Sequence, residues 1–202
     1  MTSLRPRSPG PRLLAIDAAI KIATILLLAW AVLNPDLPQF SGKAFTGRAL
    51  AYPAALAIVP VGWWLLGRSR GIGFPVVADI LFGLPFLIDV AGNAANLYDT
   101  VEWWDDANHL ANWFLHTAAI GWLLRLGSWG SSTRAALGIG WAATTAILWE
   151  LAEYVTFVPG SPEAATAYAD TLMDLALGLL GGAAAALVTS RLPVLPPASA
   201  SS

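Results

Sequence analysis

Apolar residues in this chain fall into long blocks separated by short polar, proline- and glycine-bearing connections. Six blocks read as membrane-spanning helices, at about 13–33, 48–67, 72–97, 104–126, 135–158 and 170–190. A spanning helix needs roughly 20 mostly apolar residues, and each block is close to that length. The first block is too long for a signal-peptide core and no small-residue cleavage motif follows it, so it is expected to be a retained helix. The connections are NPDLPQFSGKAFTG (34–47), RSRG (68–71), GSWGSSTR (127–134) and PGSPEAATAYA (159–169), where Pro159 and Gly160 break the fifth helix. The pattern predicts an all-α fold, a polytopic six-helix transmembrane bundle over 13–192. A disordered basic tail (1–12) precedes it and a second disordered tail (193–202) follows.

Composition supports that class. Hydrophobic residues make up 56% of the chain and charged ones 12%, too greasy a balance for a water-soluble core of this size. The ten Trp suit amphipathic rings at headgroup level. With no Cys, disulfides, thiolate metal sites and thiol nucleophiles are excluded. No basic stripe is present, so nucleic acid is excluded as a partner and the lipid bilayer is the expected one.

Charge placement sets the expected orientation. With a cytoplasmic N-terminus, Arg5, Arg7, Arg12, Arg68, Arg70, Arg125, Arg134 and Arg191 fall inside, Lys43 and Arg48 outside, and Lys21 within the first helix. The positive-inside rule then places both termini in the cytoplasm, as for a multi-pass protein of a bacterial cytoplasmic (inner) membrane.

The acidic residues gather on the outer side. The third segment ends there at Asn93, Asn96 and Asp99, and the fourth begins with Glu102, Asp105 and His109. The fifth ends with Glu150 and Glu153, and the sixth begins with Asp170 and Asp174. Four helix ends, distant in sequence, thus bring carboxylates to one depth. In YDTVEWWDDANHLANWFLH (98–116), Asp105, His109, Asn112 and His116 lie within an arc of about 60° on a helix, with Glu102 beside them. Asp89, Asn93 and Asn96 share a face of the third segment, and Asp79 lies about 80° away. Glu150 and Glu153 are spaced i,i+3, and Asp170 and Asp174 i,i+4, so each pair occupies one side of its helix. Trp103 and Trp104 mark the outer interface.

A charge at mid-bilayer costs at least ~2.5 kcal/mol on insertion scales, so such groups face the bundle interior and are paired, protonated or metal-bound. Lys21, four residues after Asp17, is expected to neutralise it as a structural pair. The outer cluster is short of bases, and a bound cation or protons would relieve it. Asp105, His109, Asp170 and Asp174 are the candidate ligands of a divalent metal ion, with Glu150 and Glu153 as candidate catalytic carboxylates. Glu102, Asn112, His116, Asp89, Asn93 and Asn96 form a surrounding shell or polar path. Carboxylate with imidazole suits Zn, Mn or Fe, and carboxylates alone would suit Mg or Ca.

Each residue also has a plainer reading. Asp105, Asp106 or Asp170 can N-cap a helix, where an acid suits the dipole. His116 can hydrogen-bond across helices, and Asn93 and Asn96 can act as interhelical glue. Asp36 and Glu163 read as solvated loop charges, and GLLGG (178–182) as a close-packing face. Glu150 and Glu153 resist such a reading because neither is near a helix N-terminus. No G-x-S-x-G elbow, H-E-x-x-H pair or P-loop is present, and Tyr98-Asp99 lacks the Gly-x-Gly-Asp partner of an intramembrane aspartyl protease.

Over about residues 98–182 the chain resembles the YjdF-like family of small bacterial inner-membrane proteins, and more distantly VanZ-like proteins. The resemblance lies in Asp105-x-x-x-His109, in WELAEY with Glu150 and Glu153, and in DTLMD with Asp170, Thr171 and Asp174 followed by Gly181. HLANWF departs from the Phe-x-x-Gly pattern that follows the His in that family. The resemblance implies a polytopic membrane protein with an acidic/His centre and supplies no activity.

Three functions fit these residues. The first is a metal-dependent hydrolase or transferase on a lipid or lipid-linked phosphate. The second is a transporter or binding protein for a cation, solute or proton, with Asp89 and Asp79 extending the polar path inward. The third is a scaffold subunit whose cluster is a structural network.

Overall fold

A computed structural model describes residues 9–156 and 162–195. The expected tails and the last two residues of the fifth expected segment lie wholly or partly outside them. The described residues are helical, without strands: α1 (Pro11–Leu33), α2 (Phe45–Leu56), α3 (Ile58–Gly62), α4 (Val76–Ala94), α5 (Leu97–Thr100), α6 (Trp104–Leu124), α7 (Ser131–Thr156) and α8 (Ala167–Ser190). α2 and α3 continue through a π turn (Trp63–Gly67) and a 3-10 turn (Arg68–Arg70) into one bent rod. Pro53 lies within α2 and Pro60 within α3, each removing a backbone donor.

Five segments are long and apolar enough to cross a membrane: Pro11–Leu33, Phe45–Arg70, Val76–Ala94, Ser131–Thr156 and Ala167–Ser190. The fourth expected span, α6, has 21 residues but is not among these five. Its polar stripe of Asp105, Asp106, His109, Asn112 and His116 interrupts the apolar run. The third expected segment is shorter than its apolar block. α4 starts four residues late, after Pro75, and ends at Ala94 because Asn96 takes a left-handed φ of 58° and restarts the chain as α5.

The helices form two groups. α4 packs on α1 and α2, α8 packs on α6 and α7, and α4 against α6 is the seam between the groups. The first group encloses the larger apolar core, including Leu28, Phe45, Tyr52, Leu56, Phe82 and Phe86. The second is held by small residues. A Cβ on Gly181 would run into the carbonyl oxygen of Leu110, and one on Gly182 into the Ala142 methyl. Without those side chains α8 lies directly on α6 and α7, the small-residue packing expected of GLLGG. Large apolar side chains cover the outside, among them Ile22, Leu26, Leu148, Val155 and Leu180. In a water-soluble chain such a surface would be a liability, but it fits lipid.

Two arginines tie the helix ends opposite the acidic cluster. Arg134 Nη2 donates to the carbonyls of Ser190 (2.6 Å) and Leu192 (2.9 Å), and Arg125 Nε to that of Pro193 (2.9 Å). The α8 C-terminus thereby gains donors for carbonyls that have no helical partner.

Candidate functional site

At the other end, a cavity of about 290 Å³ opens between the two helix groups. α2, α4, α6, α7 and α8 all contribute to its wall, so the convergence expected from the sequence is realised in space. Asp105, His109, Asn112 and His116 line it from α6, Asp89 and Asn93 from α4, Glu153 from α7, and Asp170 and Asp174 from α8.

His109 is the centre of the cluster. Its Nε2 lies 3.7 Å from Asp105 Oδ1 and 3.7 Å from Asp174 Oδ1, and its Nδ1 lies 3.7 Å from Glu150 Oε1. These separations are too long for hydrogen bonds. They are close to the about 3.4 Å between two donors placed tetrahedrally around an ion at about 2.1 Å. Two groups have donor atoms all within 4.8 Å of one another: Asp105, His109 and Asp174, and His109, Glu150 and Glu153. His109 is 8% exposed and Asp174 4%, yet His109 Nδ1 and Asp174 Oδ1 have no hydrogen-bond partner. Leaving a buried polar atom unsatisfied costs about 1–3 kcal/mol, more when it is charged, so both atoms are expected to bond a proton, water or ion held in the cavity.

The other donors fall into place around this centre. The Thr171 hydroxyl hydrogen-bonds Glu150. Asp170 reaches the cavity wall but is exposed and belongs to neither three-residue group. Asp105 and Asp106 do not cap α6, whose N-cap is Trp103, and Asp170 lies beyond the Thr166 N-cap of α8. Asn112 Nδ2 donates to Asn108 Oδ1 at 3.5 Å, leaving its own Oδ1 without a partner. His116 is wedged among Phe82, Phe86 and Trp113, with ring centroids 4.9, 5.3 and 5.5 Å away.

Two members of the expected shell lie elsewhere. Glu102 is exposed in the turn before α6 and is not on the cavity wall. Asn96 is absent from the wall as well, because its left-handed backbone is the junction between α4 and α5.

The expected polar path does not run inward through Asp89 and Asp79. Asp89 is tied to Arg48, whose Nη1 lies 2.8 Å from Oδ1 and 2.7 Å from Oδ2. Tyr52 (2.6 Å), Tyr98 (3.0 Å) and Asn93 (3.3 Å) also donate to that carboxylate. Asp79 bonds Lys21, which also holds Asp17 at 2.9 Å, and it does not line the cavity. The predicted Asp17–Lys21 pair is therefore a triad joining α1 to α4. Lys43 pairs with Asp99 at 2.7 Å. Burial, with the Asp89 and Asp105 carboxylates nearby, pushes the Tyr98 phenol far up, so it serves Asp89 as a neutral donor.

Arg48, Tyr52 and Tyr98 were not foreseen as site residues. The signal for the first two was present: an Arg and a Tyr at i,i+4 in an apolar block share one face. Counted only as a loop-end charge for orientation, Arg48 looked external. With Arg48 on Asp89 and Lys43 on Asp99, no Lys or Arg forms an ion pair with Glu150, Glu153 or Asp174 among the described residues.

No curated protein and no solved structure matches the chain significantly. The likeness to VanZ-like proteins has no support, whereas the YjdF-like resemblance agrees with the match that was found. A family model described as "Predicted membrane protein (DUF2238)" covers residues 16–193, reaching from α1 to just beyond α8. The chain belongs to the DUF2238 family of predicted membrane proteins.

Proposed function

We propose that this membrane protein binds a divalent cation through Asp105, His109 and Asp174, and that the site hydrolyses or transfers a phosphate-bearing group of a lipid or lipid-linked substrate. One observation carries the reading. An imidazole from α6 sits 3.7 Å from carboxylates of α6, α7 and α8, with His109 Nδ1 and Asp174 Oδ1 buried and unpartnered. A mixed imidazole and carboxylate set favours Zn, Mn or Fe. Such an ion would supply charge stabilisation and a more acidic bound water.

The chain's own groups divide the remaining work. Glu150, 3.7 Å from His109 Nδ1 and hydrogen-bonded by Thr171, is with Glu153 a candidate catalytic carboxylate. Glu153 faces the cavity and is the candidate proton acceptor. The Asp89 network holds Arg48 at the wall, where a guanidinium suits a phosphate oxygen. Orientation by the positive-inside rule puts the cavity at the outer face and both termini in the cytoplasm, in a bacterial inner membrane.

A transport path finds less support. Below His109 the cavity floor is the aromatic cluster around His116, and the carboxylates once expected to continue it are neutralised by Arg48 and Lys21.

Metal analysis of detergent-purified protein tests the proposal. Wild type should retain stoichiometric Zn, Mn or Fe, while His109→Ala and Asp174→Asn should lose it and Glu102→Gln should not. Wild-type protein free of metal and indifferent to added Zn²⁺ or Mn²⁺ in titration would sink the idea.

A further inference from the structure

Two acceptor atoms on the cavity wall have no donor. Asn112 and His116, one turn apart on α6, both line the cavity. Asn112 Oδ1 and His116 Nε2 are buried and without a hydrogen-bond partner. Local bonds fix which atom each side chain leaves over. Asn108 Nδ2 donates to the Trp104 carbonyl (3.1 Å), which keeps Asn108 Oδ1 available to Asn112. Asn112 Nδ2 donates to it at 3.5 Å, so its own Oδ1 ends the chain as a bare acceptor. A neutral imidazole has one N–H and one lone pair. His116 hydrogen-bonds the Phe82 backbone, so its N–H is used there and Nε2 keeps the lone pair. The Phe82 and Phe86 rings packed beside it have no donor to offer.

Two buried acceptors without a donor call for a ligand that carries N–H or O–H groups. Cβ atoms at i and i+4 on a helix are about 5–6 Å apart, a span that one group donating two bonds of about 2.9 Å can bridge. Charge selects among such groups. Glu153 and Asp174 line the same cavity, and no Lys or Arg pairs with either among the described residues. Lys43 and Arg48 are already held by Asp99 and Asp89. The wall therefore favours a cationic donor over a neutral one. Tyr52, Phe86, Trp113 and Trp149 complete it, and aromatic rings suit a cation as well.

We propose that Asn112 Oδ1 and His116 Nε2 form a subsite for a primary ammonium group. The subsite stands on these two atoms, whereas its place in a substrate rests on the proposed cation site. Asn112 and His116 lie about 4.5 and 10.5 Å along α6 from His109. A phosphate at the His109 cluster and an ammonium here then belong to one aminoalkyl phosphate ester, which narrows the substrate to an amine-bearing headgroup. A quaternary ammonium has no N–H and cannot make these bonds.

The chain has two histidines, so NMR of nitrogen-labelled imidazoles reads the two sites separately. The full chain in detergent is titrated with ethanolamine, choline, glycerol and Zn²⁺ in turn. Ethanolamine should shift the His116 Nε2 resonance saturably, choline should leave it in place, and glycerol should bind about tenfold more weakly or worse. Asn112→Leu should weaken ethanolamine binding about tenfold and leave the His109 response to Zn²⁺ intact. A His116 resonance that ignores ethanolamine, or follows choline or glycerol equally well, overturns the proposal. So does an Asn112→Leu protein that binds ethanolamine as tightly as wild type. The wild-type titrations decide the matter even where the variant does not fold. His116 answering ethanolamine while His109 ignores Zn²⁺ would remove the cation site and leave the subsite; the reverse result removes the subsite alone.

Discussion

Arg48→Met and Asp89→Leu should both destabilise the protein, but unequally. The pair is buried, with side-chain exposures of 15% and 10%. Removing one partner of a buried ion pair costs about 3–5 kcal/mol, because the survivor keeps an uncompensated charge. The two survivors are in different positions here. Without Arg48, Asp89 still accepts from Tyr52, Tyr98 and Asn93. Without Asp89, a permanently charged guanidinium remains, and two phenols lose their acceptor. We therefore expect about 3 kcal/mol for Arg48→Met and about 5 kcal/mol for Asp89→Leu. In the double variant only the orphaned phenols remain to be satisfied, at about 1–3 kcal/mol each. The cycle should then fall short of additivity by about 2–6 kcal/mol. Denaturant unfolding in detergent micelles at neutral pH, followed by tryptophan fluorescence, measures all four corners. Equal single effects that sum in the double variant would refute the reasoning, since the pair would then not act as a unit.

Three further outcomes are expected. Gly181→Leu should push α8 off α6 against the Leu110 carbonyl, costing about 1–3 kcal/mol, and should lower bound metal although no ligand changes; Gly140→Leu, with open space at its Cβ, should do neither in melting and metal assays. Lys21→Met should strand the buried Asp79 beside Asp17 and cost about 3–5 kcal/mol by denaturant unfolding, with metal content unchanged, because that triad lies away from the cavity. Protons compete for carboxylate and imidazole donors, so Zn²⁺ affinity should fall as pH falls, and calorimetry in buffers of differing ionisation enthalpy should show proton release on binding. An affinity independent of pH would exclude His109 as a ligand.

Much of the arrangement was legible because membrane helices are written in long apolar blocks and their polar faces in a 3.6-residue period. Asp105, His109, Asn112 and His116 meet on one stripe, and all four reach the cavity. Depth along each helix also placed Glu150, Glu153 and Asp174 near His109, since ends on one side of a bilayer share a level. Pairing between distant helices was the part that could not be read. Nothing local to Asp89 says that Arg48, 41 positions earlier, takes its charge, or that Asp79 turns to Lys21. Asn96 was misplaced for a backbone reason: a helical projection assumes that the helix continues, and it stops at Ala94.

The four residues that meet around His109 enter the protein on three successive long helices. Asp105 and His109 arrive with α6 and Glu150 with α7, but Asp174 belongs to α8, the last of the long helices. A nascent chain that has inserted only α1 to α7 therefore carries His109 with its carboxylate set incomplete. The glycines that let α8 settle against Leu110 and Ala142 are thus also what allows the cluster to close. Assembly of the bundle and completion of its acidic centre are one late event, and a chain shortened before α8 would have neither.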